Sequence, residues 1–275
     1  MDIAVVVPAF NRRYTLARAL DSIAVQSYSA VQTVVVDDGS KDKTADFVRQ
    51  YYPQVELICQ SNLGVSAARN NGIEHTSAEW IAFLDSDDAW LPNKLELQRE
   101  ALARRPEFLV CHTDEIWIRN GVRVNPMKYH AKPDGDIFSE CLPRCCVSPS
   151  SVLIHRSVFD AVGAFNTDLP ACEDYDLWLR MFCIYSVLLV SDKLLVKYGG
   201  HQDQLSRKHW GMDRFRVASL DRLLQSGVLD NDQYERARKT LLAKCAILIT
   251  GAKKRNRSQT AREYLALSEK YGGVV

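Results

Sequence analysis

At 275 residues, with 47% hydrophobic and 25% charged residues, the chain is long enough to bury a substantial core and too ordinary in composition to be disordered or low-complexity. Its 35 basic and 34 acidic residues leave a formal charge of +1, which excludes a global field for nucleic acid or an anionic membrane, so any charged ligand has to be handled locally. The start, MDIAVVVPAF, reads as a first strand rather than a signal peptide, and no later window carries 18 apolar residues. The expectation is a cytoplasmic protein with at most peripheral membrane contact.

In chain order, short β-branched runs alternate with amphipathic segments, the pattern of a parallel sheet with crossover helices. Residues 3–7, 31–36, 55–59 and 80–84 read as strands. Between them, Leu16, Ala19, Leu20 and Ile23 form one helical stripe, residues 45–51 a second and 65–73 a third. Residues 94–104 read as a helix, and 108–118 as a strand closed by the Asn120-Gly121 turn signal. Residues 125–149 are irregular and hold four prolines; so long a loop in a compact fold is usually functional. Strand character returns at 150–155, followed by short helical text at 158–165, a stronger helix at 174–184 and a strand at 186–196. Helices at about 212–226, 231–250 and 259–271 complete the chain, giving an α/β domain over 1–210 and a helical C-terminal extension over 211–275. The eight cysteines form no C-x-x-C pair and read as reduced thiols; Cys141, Cys145 and Cys146 lie close together, but not at zinc-site spacing.

Chemistry concentrates where apolar runs stop. VVVDDGS sets Asp37 and Asp38 directly after one strand, and WIAFLDSDDAWLP sets Asp85, Asp87 and Asp88 after another. In an open parallel sheet, ligands bind beyond the carboxyl ends of the strands, so both acidic groups are expected on one edge, with Pro8, Ala9 and Asn11 beside them. Each stretch alone is as readily a turn or helix cap. Together they suit Mg²⁺ or Mn²⁺, hard ions that bind through a few carboxylates plus substrate phosphates. Arg69 offers a cation either to a phosphate or to the acidic strand ends.

VVVPAFNR, VVVDDGSKDKT, NLGVSAARNNG, WIAFLDSDDAWLPNKL, SSVLIHRSVFDAVGAFNTDL and CEDYDLWLRM, in this order, resemble the motifs of family 2 glycosyltransferases of the GT-A fold, the non-processive bacterial type, over roughly the first 205 residues. The resemblance implies a Rossmann-like, mostly parallel sheet with flanking helices. It implies an inverting transferase moving one sugar from a nucleotide-sugar donor, a UDP-sugar, to a hydroxyl of a glycan or lipid-linked glycan in surface polysaccharide synthesis. Position by position, Pro8 and Ala9 line the nucleotide pocket, Asp38 accepts from the base, Asp37 orients that loop and Arg69 sits near the diphosphate. Asp85 and Asp87 form the D-x-D motif for Mn²⁺ or Mg²⁺, with Asp87 the direct ligand and Asp88 behind them. Asp174 is the base toward the acceptor, Glu173 positions it, and His201 in YGGHQDQLS approaches the metal or diphosphate. Asp176, in the same turn as Asp174, fits a helix N-terminus.

The sequence departs from the processive members of that family. Gln204 and Arg207 occur, yet Trp210 does not follow Arg207 directly, so Q-x-x-R-W is broken. The basic run 253–257 reads as a solvated face. Two other functions fit less well. A phosphatase with an aspartyl nucleophile would carry its D-x-D on the first strand rather than the fourth, and a catalytically inactive nucleotide-binding module would have no use for Glu173, Asp174 and Asp87 together.

Overall fold

The structure is a computed structural model describing residues 1–200, 209 and 211–273. It is built on a nine-stranded sheet in the order β3-β2-β1-β4-β8-β6-β9-β5, with β7 hydrogen-bonded to β6. The strands are β1 (Ile3–Ala9), β2 (Gln32–Asp37), β3 (Glu56–Cys59), β4 (Trp80–Phe83), β5 (Ala89–Trp90), β6 (Val110–Arg119), β7 (Val122–Val124), β8 (Leu153–His155) and β9 (Leu188–Gly199). Strands β1 to β4 pair in parallel; β8 runs antiparallel to both β4 and β6, and β9 is parallel to β6. Six strands therefore share one direction, against β5, β7 and β8.

That arrangement follows from residue patterning. Every residue of β1 and β4 is buried, as expected for strands covered on both faces. The helices α1 (Leu16–Ala24), α2 (Thr44–Tyr51), α3 (Val65–Glu74) and α4 (Lys94–Arg104) supply the crossovers. Packing is tight at Gly72, where a Cβ would collide with the Val6 side chain, so α3 lies directly on the central strand. Arg69, one turn earlier in α3, is thereby brought over the strand ends.

The register sets the edge where chemistry occurs. Ala9 of β1 pairs with Asp37 of β2, and Asp38 N donates to Ala9 O at 2.8 Å. Leu84 N, just beyond β4, donates to Val6 O at 3.1 Å, which leaves Asp85 projecting past the sheet. Because β8 is antiparallel, its start lies at this same edge. Because β9 is parallel to β6, its end does too.

Several expectations are amended. The segment expected as a strand over 150–155 opens with a 3-10 turn, Pro149–Ser151, and only Leu153–His155 is extended; Pro149 has no N–H to give a ladder, and Ser151 turns back to Ser148 O. The helix expected over 158–165 is α6, Arg156–Val162, stopped by Gly163 at φ 78°. Strand β9 continues to Gly199 because β6 offers it partners as far as Arg119. The irregular stretch holds the short helix α5 (Phe138–Cys141), and β5 and β7 were not anticipated.

Helix α7 (Glu173–Phe182) is buried along most of its length; of the C-terminal helices, α8 (Asp213–Gln225) packs against it, α9 (Asn231–Lys254) packs on α8 and α5, and α10 (Ser258–Lys270) packs on α9. Tyr175 and Trp178 share one apolar core with Val217, Leu220, Leu241 and Cys245. Asp176, buried, accepts from Arg180 at 3.0 Å and from Arg222 of α8 at 3.1 Å. It thus ties the last helices to α7 as well as serving the helix N-terminus. Among the described residues no helix is long and apolar enough to cross a membrane. All eight cysteines are free thiols. The basic residues of 253–257 are exposed, as the reading of a solvated face expected.

Candidate active site

A cleft of about 740 Å³ opens at the carboxyl edge of the sheet. Pro8, Ala9 and Asp38 line one end, Arg69, Asp85 and Asp87 the middle, and Glu173 and Asp174 the far side. Seven residues assigned to four motifs between positions 8 and 174, together with Arg69, therefore meet in one cavity. Asp37 is not among the lining residues: it is buried, bonded to Ser40, and burial pushes its carboxyl above the usual range. His201 lies outside the described residues, as do Gln204, Arg207 and Trp210.

Asp38 organises the loop that begins α3. One carboxylate oxygen accepts from Gln60 Nε2 and Leu63 N, and the other from Gly64 N, all at 2.8 Å. Gly64, at φ 94°, supplies the backbone conformation that aims its N–H at this carboxylate. A carboxylate has about four acceptor positions, so Asp38 retains capacity for one further donor from the cleft.

Arg69 is 3% exposed, and its guanidinium forks between the two acidic groups. Nη1 donates to Glu173 Oε1 and Nη2 to Asp85 Oδ1, both at 2.7 Å, with the Phe165 ring 5.0 Å beneath. Of the two uses the sequence allowed for this cation, the structure has the pairing with the acidic strand ends. Burial alone would raise the Asp85 carboxyl, but Arg69 and then Lys197 outweigh it and hold Asp85 below the usual range. Glu173 moves the other way: burial and the Asp174 charge raise it, and Arg69 opposes them only in part.

Asp88 has a distinct job. Its Oδ2 accepts from Ser150 Oγ at 2.8 Å and its Oδ1 from Tyr198 N at 3.2 Å, and the same Ser150 Oγ accepts from Asp85 N at 3.0 Å. Asp88 is 2% exposed and its carboxyl is pushed well up, by burial first and also by Asp87 and Asp85. It fastens the β4–β5 turn to β9 and to the Pro149 turn. Asp87 faces the cleft, and Arg18 Nη2 holds its backbone carbonyl.

Asp174 occupies the first turn of α7, where the helix dipole favours a negative charge. Its Oδ1 accepts from Tyr175 N at 2.7 Å and its Oδ2 from the Cys145 thiol at 3.2 Å. Two residues that the sequence reading passed over complete the site. Lys197 donates to Ser148 Oγ at 3.1 Å, and Glu115, Asp88, Asp85 and Asp174 together raise its ammonium above the usual range despite burial. Cys145, from the irregular stretch, abuts Asp174. A lysine interrupting the apolar run LLVKYG was the available signal for the first; nothing distinguished Cys145 from its neighbours.

The family model for "Glycosyl transferase family 2" matches residues 4–163. The chain belongs to that family. A curated relative, an uncharacterized glycosyltransferase of Rickettsia bellii, is 30% identical over 75% of this chain and 31% of its own length. The chain thus spans about a third of the length of the first curated relatives it matches. An Escherichia coli relative, 27% identical over 65% of this chain and 69% of its own, is named a UDP-Glc:alpha-D-GlcNAc-diphosphoundecaprenol beta-1,3-glucosyltransferase. Among solved structures, Staphylococcus aureus TarS 1-349 in complex with UDP-GlcNAc superposes with a TM-score of 0.71 at 19% identity, over 89% of this chain and 71% of that one. The mannosyltransferase PcManGT of Pyrobaculum calidifontis, in complex with GDP-Man and Mn²⁺, gives 0.65 at 17% over 98% and 84%. This family 2 member accordingly has the GT-A glycosyltransferase fold, with additional C-terminal helices.

Proposed function

We propose that this chain is an inverting, metal-dependent glycosyltransferase that moves one sugar from a UDP-sugar to a hydroxyl of a glycan or lipid-linked glycan in surface polysaccharide synthesis, acting in the cytoplasm. The observation that carries the reading is the Arg69 fork, which holds the D-x-D strand end and the start of α7 against one cleft. The E. coli relative, whose name gives UDP-Glc and a lipid-diphosphate acceptor, supports the substrate classes.

In this reading the nucleoside lies against Pro8 and Ala9, with its base donating to the remaining acceptor position of Asp38. Asp85 and Asp87 would hold Mn²⁺ or Mg²⁺: Asp85 is kept ionised and partly open to the cleft, its side chain 27% exposed, and its second oxygen is a hard donor of the kind these ions take. A bound divalent ion supplies neutralisation of the departing diphosphate. Asp174 is the catalytic residue toward the acceptor and takes the hydroxyl proton. The acceptor oxygen bonds to the anomeric carbon as the bond to the diphosphate oxygen breaks, and the electron pair leaves with the nucleoside diphosphate. Attack from the Asp174 side, opposite the leaving group, inverts the centre. Glu173, fixed by Arg69, orients the turn that carries the base.

Thermal unfolding with UDP, GDP and TDP, each with and without Mn²⁺, tests the donor half: UDP with Mn²⁺ is expected to stabilise most, and Asp87→Ala to remove the metal-dependent part. Asp174→Asn should keep that stabilisation and lose about 100-fold or more in transfer, within the usual range for a general base. Absence of a shift with every nucleotide would refute the proposal.

A further inference from the structure

Beside Asp174, on the side away from the nucleotide end, lies a second cavity of about 350 Å³ that shares Cys145, Asp174, Lys197 and Arg216 with the main cleft. The rest of its wall comes from β6 and the irregular stretch and includes Trp117, His130, Lys132 and Arg144. This volume falls at the small end of ligand pockets, suited to about one sugar residue with a substituent. Its lining carries four cations, Lys132, Arg144, Lys197 and Arg216, against two carboxylates, Glu115 and Asp174.

Most of these charges are already engaged. Glu115 Oε1 accepts from Lys132 Nζ at 3.0 Å and from Trp117 Nε1 at 2.7 Å, which fixes the indole in the wall. Arg216 pairs with Asp213 at 2.9 Å, and Lys197 faces the carboxylates of the main cleft. Arg144 is different: it rests on the Tyr129 ring, 5.2 Å from the centroid, and among the described residues no carboxylate pairs with it. The surplus positive field is felt at His130, which is held below its ordinary range by lost hydration and then by Arg144, Lys132 and Arg119. An indole locked in place beside an uncompensated guanidinium is the combination that recognises a sugar face and an adjacent anion.

We propose that this cavity is the acceptor subsite and selects an acceptor bearing a phosphate or carboxylate next to the hydroxyl that is glycosylated, with Arg144 as the residue that reads the anion and Trp117 the sugar. This rests on the glycosyltransferase reading and adds the charge class of the acceptor to it.

The test uses the whole chain saturated with UDP and Mn²⁺ and measures, by calorimetry, binding of methyl glucoside, glucose 6-phosphate, glucuronate and inorganic phosphate to the parent, Arg144→Gln and Trp117→Phe. At least one anionic hexose should bind tenfold or more tighter than methyl glucoside. Arg144→Gln should bring the two within twofold, and Trp117→Phe should weaken all three hexoses. Glucose 6-phosphate as the favoured probe indicates a phosphate ester, and glucuronate a carboxylate. Equal binding of the three hexoses, a preference that survives Arg144→Gln, or inorganic phosphate binding as tightly as the sugar phosphate would overturn the inference. UDP affinity is read separately in the same titrations: if UDP fails to bind while the Arg144-dependent preference persists, the donor assignment falls and the anion-selective subsite stands.

Discussion

Arg69→Met is the most informative single change, because it removes the fork and little volume. The parent arginine makes two charge-assisted hydrogen bonds at 2.7 Å in a buried setting. Bonds to charged groups contribute about 1.5–3 kcal/mol each, and breaking a buried ion pair by removing one partner costs about 3–5 kcal/mol, so a loss of about 4 kcal/mol is expected at pH 7.5. With a urea m-value of about 3 kcal/mol/M, the midpoint should fall by about 1.3 M. Acidification should shrink the difference. In the parent, the depressed Asp85 carboxyl contributes stability that is present above its unfolded value near 3.8 and lost as pH falls through its folded value. Without Arg69, burial at Asp85 is opposed only by Lys197 and the Ser150 hydrogen bond, so the Asp85 and Glu173 carboxyls both move up, and the variant regains stability relative to the parent as they protonate toward pH 4.5. Arg69→Lys keeps a charge but cannot bridge both carboxylates, so about half the loss should remain. Urea titrations at pH 7.5, 6 and 4.5 provide the check. A loss below about 1 kcal/mol at pH 7.5, or a difference that widens on acidification, would refute the electrostatic account of the fork.

Lys94, fully buried beside Trp90 and bonded to Gln98 Oε1 at 2.7 Å, is pushed down by burial to about 7 from 10.5. A group whose folded value is depressed in this way binds fewer protons when folded, so stability should rise with pH between about 7 and 10.5. Lys94→Met should therefore stabilise by about 2–3 kcal/mol at pH 6.5, after the lost Gln98 bond is subtracted, and much less at pH 9.5, as read by urea midpoints. For Asp88, whose raised carboxyl makes the fold less stable as pH climbs above 3.8, Asp88→Asn should match or exceed the parent at pH 8. Ser150→Ala, which strips a partner from both Asp88 and Asp85 N, should cost about 1–3 kcal/mol in the same measurement.

The sheet's parallel half was legible because β1, β4 and most of β2 are buried on both faces and advertise themselves as apolar runs, and because the β2 and β4 runs end on aspartates. From there the rule about strand ends led to Asp38, Asp85 and Asp87 without any three-dimensional information. The antiparallel half was harder. Strand β5 is two residues long and exists only because β9 pairs with it at Ala89 and Trp90. Its sequence matches a helix entrance equally well, and tertiary pairing decides. The irregular stretch concealed Lys132, Arg144 and Cys145 for a related reason: no periodicity links them, and they converge only when the loop folds back onto β6 and α7.

Lys197 shows what a motif-by-motif reading omits. Besides Asp38, five carboxylates, Asp85, Asp87, Asp88, Glu173 and Asp174, line one cleft, and mutual repulsion in a partly dry site would protonate some of them or open the structure. Arg69 answers for Asp85 and Glu173, and its ion pairs do not include Asp174 or Asp88. The end of β9 reaches the same edge only because that strand runs parallel to β6, and it brings a second buried cation to the two acids that Arg69 leaves unserved. The two cations divide the work: Arg69 joins the strand end to α7 through two ion pairs, and Lys197 acts through its charge on Glu115, Asp88, Asp85 and Asp174. Asp87 lies outside the Arg69 fork, and Asp85 keeps one oxygen away from it. In the proposed reading, the Asp85 oxygen outside the Arg69 pair is the one that would serve a divalent ion.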